Sequence, residues 1–127
     1  MDWIHINGIS GQVVDSAITV HTSLGPGLLE SAYRACLAWE LRKRGLTAAE
    51  EVGLPVVCDG HRLEIGYRMD ILVEGLVVLE IKSVHAIAPI HKAQLLSYLK
   101  LSGNPLGLLL NFNVPLMKNG IIRMRSG

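Results

Sequence analysis

The sequence predicts an α/β protein (α+β by a stricter label) in which a mixed central sheet is flanked by helices. Three observations predict it. Apolar residues recur at helical spacing over the first 44 residues and follow strand patterns, broken by turn residues, from Thr47 onwards. A third helical segment then separates two strongly apolar strands, which favours a parallel pair joined by a crossover helix. The expected element order is α-α-β-β-β-α-β-β.

Length and composition indicate one globular unit. The chain has 127 residues, so we expect a single domain over residues 1–127. Hydrophobic residues make up 50% and charged residues 18%, which supplies a core and argues against disorder. The formal net charge is only +1, but residues 61–127 hold eight Lys/Arg against four Asp/Glu. The positive excess in this half weakly favours a surface that faces phosphate.

The sequence shows neither a recognisable signal peptide nor a membrane-spanning segment. The start lacks the basic and apolar regions of a signal peptide, and no apolar run approaches the roughly 18 residues of a membrane helix. Cys36 and Cys58 have neither metal-ligand spacing nor the count of a disulfide framework, so we expect free, mostly buried thiols. The expectation is a cytoplasmic protein without a membrane partner.

Two helices are expected at the start of the chain. The first covers residues of about 9–23, with Ser10 as a candidate cap, and the second covers residues 28–44. At steps of 100° the apolar residues of the second helix form one broad arc, made of Leu29, Ala32, Tyr33, Cys36, Leu37, Trp39 and Leu41. Glu30 and Glu40 also fall inside this arc, and a carboxylate on a core-facing surface is costly unless something pairs with it.

Three strands are expected next. Residues 52–57 and 63–73 follow strand patterns on either side of a hairpin turn, and residues 63–73 alternate regularly, with their apolar side chains on one face. Residues 76–84 are apolar on both faces apart from Glu80 and Lys82, which predicts a central, buried strand. Because side chains two residues apart share a face of a strand, these two charges lie on the same side.

The length of the next turn decides whether Asp70 joins them. A two-residue loop at Glu74 and Gly75 would pair Asp70 with Leu79, on the face away from Glu80. A three-residue loop, or a bulge near Gly75, places Asp70 opposite Glu80. We expect the second arrangement.

Polar side chains also mark the third helix. The remaining elements are this helix and two strands, expected at 90–102, 107–112 and 121–124. Gln94 and Tyr98 are four residues apart and therefore lie on one side of the helix, with His91 one turn earlier.

An acid on one strand and an acid with a lysine on the next can bind a hard divalent cation and stabilise developing negative charge. The alternatives are a solvated strand edge or a structural ion-pair network, and Arg68, on the same face as Asp70, is equally able to pair with a carboxylate. The functional interpretation is favoured because Glu80 and Lys82 lie on an otherwise apolar strand.

These residues resemble a known family. The pattern Asp70…Glu80-x-Lys82 resembles the PD-(D/E)xK nuclease signature, and residues 27–33 match the motif of the GxxExxY protein family, a branch of that superfamily. The similarity covers about residues 8–125 and includes Leu24-Gly25-Pro26-Gly27, Gly66-Tyr67-Arg68, His91 with Ala93-Gln94-Leu95-Leu96, and Asn111-Phe112-Asn113. It implies a restriction-endonuclease-like core.

The resemblance also implies roles for individual residues. The implied catalytic residues are Glu30, Asp70, Glu80, Lys82 and Gln94. The implied metal ligands are Glu30, Asp70 and Glu80, with Mg²⁺ as the cofactor and Mn²⁺ as a possible substitute. The residues expected to contact substrate are Tyr33, Arg68, His91 and Tyr98, although Tyr33 and Tyr98 are also well suited to core packing with bonded hydroxyls.

Three functions remain open at this point. The first is an Mg²⁺-dependent nuclease that hydrolyses phosphodiester bonds of DNA or RNA with metal-activated water. The second is a catalytically weak or inactive nuclease-fold module that binds nucleic acid or a protein partner, which the small size and near-neutral charge favour. The third is a structural protein whose buried charges pair with one another and take up no metal. Formation of a homodimer would enlarge the surface available to nucleic acid.

Overall fold

A computed structural model describes residues 1–126, so the last residue of the predicted domain lies outside the described part. It contains three α-helices, seven strands and a short 3₁₀ helix. The helices are α1 (Trp3–Leu24), α2 (Glu30–Lys43) and α3 (Pro89–Ser102), with the 3₁₀ helix at Met117–Gly120. The strands are β1 (Ala48–Gly53), β2 (Val56–Cys58), β3 (His61–Leu63), β4 (Arg68–Val73), β5 (Val77–Lys82), β6 (Leu106–Asn111) and β7 (Ile121–Arg125).

Five strands form the main sheet, in the order β1-β4-β5-β6-β7, and β2 pairs with β3 in a separate hairpin. The β5–β6 pair is parallel and the other neighbours in the main sheet are antiparallel. Helix α3 is the crossover between β5 and β6, as a parallel pair requires. The predicted α/β class is confirmed, and the helices and the main-sheet strands follow the predicted order. The third helix and the two strands after it lie within one residue of their expected positions.

The predicted strands at 52–57 and 63–73 are each divided in the structure, which is how the extra hairpin arises. Pro55 has no N–H to donate to a strand partner, so it interrupts the first run. Gly66 takes a φ of 96°, a conformation outside the strand region, and interrupts the second. The two ends of the hairpin segment are joined by a hydrogen bond from the Leu54 N–H to the Tyr67 carbonyl oxygen, at 2.8 Å.

The regular alternation predicted for residues 63–73 also fails. Ile71 and Val73 pack on the side of α1 and α2, whereas Met69 packs on the side of α3. Its partner in β1, Val52, packs on the α3 side as well. The change of face coincides with Glu51, whose φ of 50° lies in the left-handed region.

Helix α1 starts earlier than predicted. It begins at Trp3, and the carboxylate of Asp2 caps it by accepting the His5 N–H at 3.1 Å. Ser10 therefore lies inside the helix, where its hydroxyl donates to the carbonyl oxygen of Asn7. The clear cap at Asp2 lies before the first strongly periodic apolar stretch, which is why the pattern alone placed the start too late.

Helix α1 is an amphipathic surface helix. One face packs against the sheet, and its buried apolar residues are Ile6, Ile9, Val13, Ala17 and Val20. Across residues 1–126, none of the helices combines the length and apolarity needed to cross a membrane.

Helix α2 has close to its predicted bounds but buries a narrower stripe. Its buried residues are Tyr33, Leu37, Ala38 and Leu41. Trp39 and Leu29, which the predicted arc included, are 62% and 77% exposed. The thiols were also predicted to be mostly buried, but both Cys36 and Cys58 are exposed. The helix contacts the sheet through positions four residues apart, and α1 covers only part of its flank.

Two glycines test the packing described above. A Cβ on Gly120, just before β7, would overlap the backbone carbonyl oxygen of Asn111, whereas a Cβ on Gly8, in α1, meets nothing within 4 Å. We therefore expect Gly120→Ala to lower the free energy of unfolding by about 1–3 kcal/mol. Gly8→Ala should raise it by about 0.5–1 kcal/mol, because alanine favours a helix interior. Urea denaturation measures both, and a Gly120→Ala protein as stable as the parent would contradict this packing.

Candidate functional site

The candidate site lies where two paired strands part. The loop between β4 and β5 has three residues, 74–76, as expected, and Val73 pairs with Val77 across it. The ladder continues to Ile71 and Leu79 and then stops. The register places the next residues, Asp70 and Glu80, opposite each other.

The two carboxylates fill the gap that the parting strands leave. The Asp70 N–H donates to Glu80 Oε1 at 3.3 Å, and the Ile81 N–H donates to Asp70 Oδ2 at 2.7 Å. Each acid thus accepts a backbone N–H that has lost its place in the ladder, which matters because an unpaired buried N–H is costly. Glu80 is only 4% exposed and Asp70 is half-buried. We call this arrangement the strand fork.

Burial raises the pKa of both acids, and the charge of a neighbouring carboxylate adds to the shift of each. Burial, followed by the neighbouring Asp70 carboxylate, raises the pKa of Glu80 to about 8. Burial is also the main cause of the raised pKa of Asp70, with a smaller contribution from the charge of Glu30, and the Ile81 N–H opposes it. Hydrogen bonding between the two side chains lowers the pKa of Asp70 and raises that of Glu80, so the proton is held by Glu80.

Lys82 supplies a positive charge beside the strand fork. It is the last residue of β5, half-buried and two residues beyond Glu80. Its ammonium group partly offsets the raised pKa values of Asp70 and Glu80. Within the described residues, Lys82 has no carboxylate oxygen within 4 Å, so its charge is not consumed by a salt bridge.

Glu30 lies at the edge of the site rather than in the core. It is exposed at the start of α2, and its Oε2 accepts the Ser83 N–H at 3.1 Å, immediately after β5. The Ser83 hydroxyl in turn donates to the Leu28 carbonyl oxygen at 2.7 Å. These bonds fasten the start of α2 to the end of β5, beside an open depression of about 400 Å³. They also resolve the anomaly of an acid on the predicted apolar arc.

Tyr33 has a structural position, which corrects its predicted contact with substrate. It is fully buried, and its ring stacks on Phe112 with centroids 4.5 Å apart. Its hydroxyl donates to the Gly25 carbonyl oxygen and accepts the Leu28 N–H. Gly27, between them, has a φ of 99°. Tyr33 therefore holds the loop that leads into Glu30.

The polar stripe predicted on α3 is present on the opposite side of the sheet from α2. Gln94 Nε2 donates to the Tyr98 hydroxyl at 3.1 Å, and Tyr98 is only 6% exposed. Burial, followed by the charge of Glu80, raises the pKa of Tyr98, so its hydroxyl lies near the strand fork. His91 uses Nδ1 to accept the Ala88 N–H at 3.0 Å and thereby caps the start of α3.

Arg68 is exposed at the start of β4. The alternative that it pairs with a carboxylate is not realised in residues 1–126, where it forms no salt bridge. It remains a free cation close in sequence to Asp70.

Two residues that support the site had no role assigned to them from the sequence, although Asn111 lies in one of the stretches that resemble the family. One is Ser83, whose short polar side chain gives little signal in a sequence. The other is Asn111, which is 3% exposed and bonds both backbone groups of Val84, accepting at 3.1 Å and donating at 3.0 Å. A polar residue that ends an apolar strand is a recognisable signal, and here it extends the β5–β6 pairing past Lys82.

The donor set fits a divalent metal in kind but does not form a three-ligand cluster. Within the part of the chain that the structure describes, no group of three His, Cys, Asp or Glu side chains is arranged to hold a metal ion. The predicted set of Glu30, Asp70 and Glu80 is thus not brought together in full. Asp70 and Glu80 do meet, and a hard cation beside them would offset the negative charge of Asp70 that contributes to the raised pKa of Glu80.

Comparison with known proteins adds one finding. The family model described as the PD-(D/E)XK nuclease superfamily matches residues 7–124, which include the strand fork, α2 and α3. Neither a search of curated proteins nor a search of solved structures returned a match.

The raised pKa of Glu80 predicts a pH-dependent stability. The folded protein holds this proton more tightly than the unfolded chain, in which the pKa is near 4.5. The stabilising contribution is therefore complete below about pH 4.5 and is lost as the pH rises through about 8. In the presence of a chelator, we expect Glu80→Gln to be more stable than the parent by roughly 2–4 kcal/mol at about pH 9. The difference should vanish at acidic pH, as measured by thermal unfolding.

Glu64→Gln is the matched control, because Glu64 is an exposed glutamate that pairs only with Arg62 in the described structure. It should follow the parent at every pH. Equal stability of the Glu80→Gln and parent proteins at alkaline pH would contradict the burial of two facing carboxyl groups.

The loop held by Tyr33 gives a second test. Tyr33→Phe keeps the stacked ring but leaves the Gly25 carbonyl oxygen and the Leu28 N–H without their partner. We expect a loss of about 1–3 kcal/mol in the free energy of unfolding. Urea denaturation measures it, and an unchanged midpoint would show that the hydroxyl does not hold this loop.

Proposed function

The chain belongs to the PD-(D/E)XK nuclease superfamily, and we propose from this membership that it is a divalent-metal-dependent phosphodiesterase acting on DNA or RNA. Membership indicates nuclease activity and interaction with nucleic acid, while metal dependence and substrate are part of the proposal. We also place the chain in the GxxExxY branch, because residues 27–33 carry that motif. A cytoplasmic location and formation of a homodimer belong to the same proposal.

The observation that carries the proposal is the strand fork. Two facing acids, one almost fully buried, and an ammonium group without a salt bridge among the described residues lie at the end of two neighbouring strands. Buried like charges are costly in a purely structural role. Buried acids with raised pKa values beside a cation are typical of a reactive site.

Asp70 and Glu80 are the residues we assign to hold the metal, with Glu30 as the outer acid. Mg²⁺ suits them because it accepts one or two carboxylates and otherwise keeps its water ligands, and Mn²⁺ should substitute. Such an ion, when bound, supplies a more acidic water and neutralises charge on the phosphate. Either function requires that the two acids be ionised, which is favoured once a cation replaces the proton on Glu80.

The other side chains act on the substrate. Lys82 is assigned to the negative charge that develops on phosphate, since its ammonium group is close to both acids and has no salt-bridge partner in residues 1–126. Gln94, fixed by its bond to Tyr98, orients the scissile group or the attacking water. Arg68 and His91 are assigned to contacts with other phosphates of the nucleic acid, away from the scissile one.

A second candidate is a module with this fold that binds nucleic acid or a protein but cleaves poorly or not at all. The observation in its favour is that residues 1–126 contain no three-ligand cluster. The net charge of +1 supports it further, because backbone binding to nucleic acid usually needs several lysines and arginines.

Removal of the lysine tests the proposed chemistry. With Mg²⁺ or Mn²⁺, we expect the parent to cleave at least one of single-stranded DNA, duplex DNA, single-stranded RNA or duplex RNA. Lys82→Ala should lower kcat about a hundredfold or more, because a group that stabilises the transition state is lost. Gel-based cleavage assays measure this, with chelator as the metal-free reference.

Lys118→Ala is the matched control, because Lys118 is an exposed lysine in the 3₁₀ helix. Undiminished cleavage by Lys82→Ala would contradict the assigned role. Calorimetry separates the two candidates: metal uptake without cleavage by the parent favours the binding module, and no uptake at all removes the metal site.

A further inference from the structure

A groove lies on the α3 side of the sheet. It has a volume of about 510 Å³, within the range of ligand clefts. Tyr67 and Tyr98 form part of its wall, with ring centroids 6.1 Å apart and planes inclined at 57°. Ile90 and Leu101 add apolar surface. We call this the α3 groove.

The aromatic wall is accessible from solvent. Tyr67 is 45% exposed and Ile90 is 69% exposed, although both contribute large apolar surfaces. Tyr67 lies in the connection between the β2–β3 hairpin and β4, immediately before β4 begins. An exposed tyrosine beside a buried one offers a flat apolar face on which another ring can stack.

The groove also has hydrogen-bonding groups. His91 accepts a backbone N–H at Nδ1, so its neutral ring carries the proton at Nε2, which becomes a donor. Gln94 commits one N–H to Tyr98, and its amide oxygen and other N–H have no partner among the described residues. An amide with a donor and an acceptor side by side can read the edge of a base.

Tyr98 links the α3 groove to the candidate site. Its ring lines the groove, and its hydroxyl lies within electrostatic reach of Glu80. Arg68, next to Tyr67 in the chain, is exposed and forms no salt bridge within residues 1–126, so it can bind a phosphate that flanks the groove.

From these observations we propose that the α3 groove binds an unpaired nucleobase and that the substrate is a single-stranded nucleic acid. This inference rests on the proposed phosphodiesterase function, whose substrate it narrows. In a duplex the faces of the bases are covered by their neighbours, so a stacking wall can engage only an unstacked base. A chain with a net charge of +1 must also obtain affinity from contacts other than phosphates.

The test measures binding in chelator, where cleavage is absent. Fluorescence anisotropy follows labelled single-stranded DNA, single-stranded RNA and duplex DNA of the same sequence. We expect the parent to bind at least one single strand about tenfold or more tightly than the duplex. Tyr67→Ala should weaken that binding about 10- to 100-fold, and Tyr67→Phe should restore it, because stacking requires the ring and not the hydroxyl.

Two further variants make the result specific. Tyr67→Leu keeps apolar bulk without an aromatic face and should bind nearly as weakly as Tyr67→Ala. Trp39→Ala removes an exposed aromatic side chain from α2 and should bind like the parent. Thermal unfolding of each variant confirms that it is folded. Equal binding of duplex and single strand, or unchanged binding by Tyr67→Ala, would overturn the inference.

Cleavage with Mg²⁺ separates this inference from the function on which it rests. If the parent cleaves nucleic acid while Tyr67→Ala has an unchanged KM, the base subsite is wrong and the phosphodiesterase assignment stands. If single strands bind in a Tyr67-dependent way but no metal supports cleavage, the subsite stands and the enzymatic assignment is wrong. A raised KM with a nearly unchanged kcat in Tyr67→Ala supports both.

Discussion

The arrangement of this molecule depends on how two buried strands separate without leaving backbone groups unpaired. Where β4 and β5 diverge, the N–H groups of Asp70 and Ile81 lose their strand partners, and carboxylate oxygens replace them. The same contacts that satisfy the backbone hold two acids side by side in a place with little water, which is unfavourable for two negative charges. Lys82, Tyr98 and Gln94 lie around this point. The side chains that satisfy the backbone are therefore also the candidate reactive groups.

The motif Gly-x-x-Glu-x-x-Tyr at residues 27–33 is explained by three separate tasks. Gly27 supplies a backbone conformation with positive φ, Glu30 reaches the end of β5, and Tyr33 fixes the intervening loop from inside the core. Only the glutamate faces the site. The spacing of three residues follows from the helix, which presents Glu30 toward β5 and turns Tyr33 inward to stack on Phe112.

The fold class and the strand fork could be predicted because they follow from local rules. Loop length and the alternation of strand faces were enough to place Asp70 opposite Glu80, and burial of β5 followed from its apolar pattern. The exposure of Trp39 could not be predicted, since it depends on how much of α2 the neighbouring helix covers. The task of Tyr33, which holds the loop before α2 from inside the core, could not be predicted either. A tyrosine on an apolar arc is compatible with both a core and a binding surface, and only long-range contacts decide between them.

The two fork acids are ten residues apart in the chain, whereas Glu30 and its partner Ser83 are 53 apart. Bringing Asp70 and Glu80 together therefore costs little chain entropy, because a short hairpin closes the loop. Adding Glu30 requires α2 to dock across most of the sheet. The strand fork is thus encoded in a compact, contiguous stretch, whereas Glu30 comes from a remote part of the chain and depends on the docking of α2.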